Sequence, residues 1–398
     1  MYIGFQTFFS LFLWLPVFYE FQKHIGITDT QYFNIQSIYY LSFCFLEIPT
    51  GWIADRWGYK RSIVCGALLM VMANTLPVTC QSFYGILAHF IVLAASRSMI
   101  SGAANAWLFE HLKILERTKE YKVIEGKGRA YGLIAKIACW PFVGVLMNWY
   151  IPLPYLITAF FSLVALLIAL KLPGLKTGQQ IMFQQMGEKK HRTPQIKIFI
   201  RALTASPLLA FLIIQGVAIF VMGRLQITFY QPLLVERSWT TVSLGTIMAV
   251  MTLFEAAGSF TPRWLDKIGL KDIHGLFLCT SLMALSFIMV CFSGQYGAVA
   301  GFCLFCFFIG VVSPIQQQLV NEAITDSRYR ATLLSMESLV QRLLSAWVIA
   351  VMGGFVSAGR TTLFLTAFSM IVVLTVIIFY PLTRRCYKRN LSLNNTST

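Results

Sequence analysis

Six ionisable side chains stand inside apolar stretches of this chain: Arg97, Lys136, Arg224, Glu255, Glu337 and Arg342. In a membrane-spanning helix such groups are costly, so they face a bundle interior or a water-filled cavity and are the first candidates for function. If Arg97, Lys136, Arg224 and Arg342 all face inward, they give a cavity of net positive character that suits an anionic or zwitterionic solute. Alternatively, each is neutralised by Glu255, Glu337 or Glu47, the last lying near the end of its segment. Among the carboxylates, Glu255 is expected to bind and release a proton, with a fixed counter-ion as its competing role. Glu337 and Arg342 are five apart on one predicted helix, too far round to pair with each other. Gln316, Gln317, Gln318 and Asn321 crowd one apolar segment. Several amides facing lipid would be unfavourable, so Gln317 and its neighbours are expected to line the same pathway.

The elements that hold these side chains follow from hydropathy. The 398 residues are 57% hydrophobic and 12% charged, with a mean hydropathy of +0.68, which excludes an ordinary water-soluble domain. About 20 mostly apolar residues cross a bilayer. Twelve such segments are predicted, at 2–22, 31–53, 62–80, 85–111, 129–149, 153–172, 207–234, 240–263, 274–293, 296–322, 332–356 and 361–382, with Pro16 kinking the first. The apolar start at Tyr2, without a basic leader or a small-residue cleavage site, reads as the first span. The expected fold is all-α and polytopic: a six-helix bundle over 1–172, a basic linker over 173–206, a second bundle over 207–382 and a tail over 383–398. The linker is expected to hold an amphipathic segment on the membrane surface.

The net charge of +16 would suggest nucleic acid in a soluble protein, but its placement excludes that partner. On this topology 25 of the 32 Lys and Arg fall in loops on one side, with Lys23, Arg237 and Arg360 on the other and Arg97, Lys136, Arg224 and Arg342 within spans. The bias places the basic loops and both termini in the cytoplasm, and the minimal loops suggest a bacterial inner or plasma membrane. Nine cysteines lie scattered, and Cys303-x-x-Cys306 sits in a Phe- and Leu-rich run with no second pair, so it reads as packing. Five His at no ligand spacing leave no metal site, and no G-x-x-x-x-G-K-[ST] cradle is present. No cofactor is expected, and a membrane-embedded enzyme, which needs clustered His, Asp or Ser at one face, is the weaker class.

Between the second and third spans, Gly51, Asp55, Arg56, Gly58, Lys60 and Arg61 spell G-x-x-x-D-R-x-G-x-K-R. Gly51 would let its helix lie close to a neighbour, Gly58 allows a tight turn, and Asp55 could accept from the first amides of a nearby helix. The stretch resembles the signature loop of the major facilitator superfamily of transporters. A second, degenerate copy follows at an offset of 211, as Asp266, Lys267, Gly269 and Lys271, with Pro262 for Gly51 and Asp272 for Arg61. This repeat indicates duplication. The resemblance implies two six-helix halves that alternate access to a central site, with the loop as a latch in one access state. It also implies a small-molecule substrate, a coupling ion, expected to be the proton, and a monomer in the bilayer. Arg97, followed by a small-residue run, resembles a fourth-helix arginine motif associated with proton coupling or anionic groups, although Ser101 stands where members commonly carry glycine. The fifth helix departs from the antiporter pattern G-x-x-x-G-P-x-x-G-G: only Pro141 and Gly144 remain, and Lys136 takes the first glycine site. Proton-coupled efflux of a metabolite, siderophore or drug is the first reading of direction, and uptake by symport the second.

Overall fold

A computed structural model describes residues 1–174, 195–261, 272–324 and 329–395, apart from the side chains of 48, 52, 54, 55, 195, 272, 331 and 388–395. Its helices in chain order are α1 (Tyr2–Ser10), α2 (Phe18–His24), α3 (Asp29–Trp57), α4 (Tyr59–Thr79), α5 (Phe83–Ile114), α6 (Tyr121–Cys139), α7 (Val143–Trp149) and α8 (Leu153–Lys171). They continue as α9 (Gln195–Ala205), α10 (Pro207–Glu236), α11 (Thr241–Phe260), α12 (Asp272–Phe292), α13 (Gln295–Ala323), α14 (Arg330–Ser357) and α15 (Thr361–Asn395). Among the described residues, 11 helical segments are long and apolar enough to cross a membrane. The 29-residue α3, which carries Asp29, Asn34, Gln36, Glu47, Asp55 and Arg56, is not among those 11, and it stands where the second span is predicted.

The chain divides into two compact units, Met1–His191 with Thr240–Ala249, and Arg192–Trp239 with Val250–Thr398. The start of the predicted eighth span, Thr240–Ala249, groups with the first unit and its remainder with the second. In the first unit, α4 packs on α5 and α8, while α1 packs on α6 and α8. The second unit repeats these pairs: α12 on α13 and α15, and α10 on α14 and α15. In both, the third helix of six meets the fourth and sixth, and the first meets the fifth and sixth.

Helices in lipid associate by close packing and hydrogen bonds more than by hydrophobic drive. Accordingly the α4–α5 seam buries small residues, Ala67, Ala73, Ala94 and Ser96, and the Ser96 hydroxyl donates to the Gly66 carbonyl at 2.6 Å. The first span is broken after Ser10 and resumes through a 3-10 turn at Leu15–Val17, where Pro16 was expected to kink it. Backbone freed at membrane depth must find partners inside the protein. Here Leu13 N–H donates to the Thr158 hydroxyl at 3.0 Å, and the Trp140 indole donates to the Phe12 carbonyl at 3.0 Å. Trp14 donates to Asn74 Oδ1 at 2.8 Å and stacks on buried Tyr155 at 5.5 Å, so the break is also the centre of the aromatic core.

Two expectations change. The segment from 383, expected as a tail beyond the last span, continues α15 as helix to Asn395, because Arg, Lys and Leu favour helix and no Gly or Pro follows Pro381 until its end. The fifth span begins at Tyr121, eight residues earlier than hydropathy suggests. All nine cysteines are free thiols; eight are buried or half-buried, and the exposed one, Cys80, sits in the short turn between α4 and α5.

Candidate functional site

Within the first unit, α1, α5 and α6 turn polar faces toward a cavity of about 450 Å³. Gln6, Phe9 and Ser10 come from α1 and Phe12 from the break beyond it; Arg97, Ile100, Ser101, Ala104 and Asn105 come from α5. From α6 come Glu125, Gly128, Arg129, Gly132, Leu133 and Lys136. The spacings of three and four on each helix put these groups on single faces. Three cations therefore stand against one carboxylate.

Arg97 donates from Nη1 to the Tyr39 hydroxyl of α3 at 2.7 Å, so among the described residues its hydrogen-bond partner is a neutral phenol. Half-buried Glu47, which the sequence offers as a counter-ion to Arg97, lies on α3 outside the cavity lining. Arg129 pairs with Glu125 one helical turn away at 2.6 Å. At the α1 wall, Gln6 donates to the Tyr2 hydroxyl at 2.9 Å, and that hydroxyl donates to Asn105 Oδ1 at 3.2 Å. The rim is thus a set of fixed donors with excess positive charge.

Arg97 and Lys136 line this one cavity, with Arg129, Glu125, Asn105 and Gln6, which sequence reasoning missed. Hydropathy left Glu125 in a loop and Arg129 at a span end. The signal that finds them is the recurrence Glu125, Arg129, Gly132, Lys136 along one face of α6.

In the second unit Glu337, only 8% exposed, is the one buried Asp, Glu, Lys or Arg among the described residues. Gln341 Nε2 donates to its Oε1 at 3.1 Å, and Gln316 Nε2 donates to the Leu212 carbonyl at 2.6 Å. Both side chains reach the same point on α10: a Cβ built on Gly216 would lie 2.6 Å from Gln316 Nε2 and 2.8 Å from Glu337 Oε1. Gln316 Oε1 is buried without a hydrogen-bond partner among the described residues. The other candidates are placed differently. Glu255 and Gln317 are exposed, so the burial expected at Glu255 belongs to Glu337, and the buried amide of α13 is Gln316. Arg342 is half-buried, as is Arg224, whose guanidinium lies 4.5 Å from the Phe220 ring centre.

At the loop after α3, Gly58 has φ +86° and ψ 152° and caps α4, a conformation open to glycine and strained for other residues. Arg56 and Arg61 are exposed and Lys60 is half-buried around it. At Gly51 an added Cβ meets nothing within 4 Å among the described residues. The side chain of Asp55, and Asp266, Lys267, Gly269 and Lys271 of the second copy, lie outside the described residues.

Residues 1–347 match the Major Facilitator Superfamily, and the chain belongs to that family of transporters. No curated protein matches the chain significantly. Among solved structures, the nucleoside transporter NupG is similar over 97% of this chain and 99% of its own, with a TM-score of 0.75 and 13% identity. A POT family transporter in complex with 5-aminolevulinic acid gives 0.73 at 12% identity, covering 97% and 95%. The peptide transporter POT in complex with sulfate gives 0.76 at 12% identity, covering 97% and 93%. At such identities the likeness shows a shared fold. The molecule is therefore a multi-pass membrane transporter for a small molecule.

Proposed function

We propose that this transporter carries a small anionic or zwitterionic solute by alternating access, with Arg97 and Lys136 holding the acidic group. The observation that supports this reading is the cavity of the first unit, where three cations face one carboxylate and Arg97 is oriented by a phenol. A volume of about 450 Å³ suits a metabolite-sized ligand. The similar structures include nucleoside and peptide transporters, and one holds 5-aminolevulinic acid, so the fold accommodates polar solutes of this size.

The driving ion in this reading is the proton, and buried Glu337 is its binding group. Asp55 and Arg56, with their counterparts Asp266 and Lys267, form the latch, both termini lie in the cytoplasm, and the direction is efflux by exchange. Lys136 favours the second direction, symport, because it lines the cavity where antiporters of the family carry glycine.

Flux in proteoliposomes with and without an imposed pH gradient tests the reading. An anionic or zwitterionic solute should move, and the gradient should drive it. Lys136→Gln and Arg97→Gln should each lower transport at least tenfold with normal membrane insertion. Glu337→Gln should remove the proton dependence, and Glu255→Gln should keep it. Equal flux with and without the gradient would remove proton coupling, and full activity in both cation variants would remove the anion site.

A further inference from the structure

The short helix α9 does something that neither the cavity nor the latch explains. Its 11 residues extend about 16 Å, too short to cross a bilayer. It stops at Ala205, and the apolar span α10 begins at Pro207, with Ser206 as the hinge whose hydroxyl accepts from Leu209 N–H at 3.3 Å. α9 packs against α14 and α10, both of which begin at this end of the unit.

Its faces are divided in three. At about 100° per residue, Ile198, Phe199, Ala202 and Leu203 share one arc; Ile198 and Phe199 are buried and Ala202 and Leu203 half-buried. Beside that arc, Ile196 and Ile200 form a stripe that is 57% and 55% exposed. Further round, Lys197 and Arg201 form an exposed cationic stripe, one turn apart, with no ion-pair partner among the described residues. An apolar edge next to a paired cationic edge is the pattern of a helix lying in a membrane interface.

We infer that α9 is a docking surface for anionic phospholipid, with Ile196 and Ile200 against the upper acyl chains and Lys197 and Arg201 on the phosphate headgroups. Charge complementarity and continuity with the start of α10 select this occupant over a second copy of the chain, whose approach would set like-charged stripes together. Each basic residue near an anionic surface contributes on the order of 1 kcal/mol, so the pair should enrich anionic lipid roughly tenfold or more.

The test uses the full-length protein in vesicles of phosphatidylcholine and phosphatidylglycerol. The protein is extracted mildly and its retained lipids are counted by native mass spectrometry. The wild type should retain phosphatidylglycerol strongly. The double variant Lys197→Gln with Arg201→Gln should lose about tenfold, and a control with equal charge removal, Lys119→Gln with Lys122→Gln, should lose little. Equal retention in both variants would overturn the inference. A second arm stands even if the α9 variant folds poorly: a benzophenone side chain replacing Ile200 should form photo-adducts with phospholipid. Adducts with protein in place of lipid, whether the linker or another copy, would overturn it equally.

Discussion

At Arg97 the guanidinium gives one N–H to the Tyr39 hydroxyl, which orients the group without neutralising it. Tyr39→Phe removes that acceptor and should cost about 0.5–1.5 kcal/mol of positioning. The KM for the transported solute should rise several-fold with maximal rate nearly unchanged, and an unaltered KM would show that Arg97 is held by other means. Gly216 makes a sharper prediction because its missing side chain is the space where Gln316 and Glu337 end. Gly216→Ala pushes a methyl group into two polar groups packed in a buried seam, and overpacking of this kind costs roughly 1–3 kcal/mol. Thermal unfolding in detergent should shift down measurably; an unchanged midpoint would mean that the two side chains yield freely.

At the scale of elements, the loop after α3 and the break in the first span carry the local strain and its compensation. Gly58 stands where φ is +86°, and Gly58→Ala should destabilise the α3–α4 connection by roughly 1–3 kcal/mol, seen as lower yield of folded transporter and a reduced thermal midpoint. Trp140→Phe keeps an aromatic ring and removes the donor to the part-buried Phe12 carbonyl, so it should cost about 1–3 kcal/mol in lost packing and an unpaired carbonyl. Much of this level was legible in the sequence. Runs of apolar residues mark the spans because length and hydropathy are what a bilayer selects, and Pro16 marks the kink. The polar start of α6 was not legible by that route, since Glu125 and Arg129 lower the local hydropathy while facing a cavity inside the bundle. Their helical spacing with Lys136 was the signal. Glu255 and Glu337 have similar apolar neighbours along the chain, so only packing shows that Glu337 alone is buried.

At the scale of the whole molecule, the same helix pairings in both units agree with the repeat read at an offset of 211 residues. The two units share their packing and differ in their contents: the first holds a cationic cavity, the second a buried carboxylate among amides. We expect the protein to work as a monomer. Light scattering in detergent should give a protein mass near 45.0 kDa, and twice that mass would make the dimer the working unit. The thiols offer a further consequence. Because Cys80 alone among nine is exposed, and the turn that carries it belongs to the extracytoplasmic side of the proposed topology, the protein comes with its own orientation marker. An impermeant alkylating reagent added to intact cells should modify the native chain once, at Cys80, and modification only after the cells are opened would invert the assignment of inside and outside for every loop.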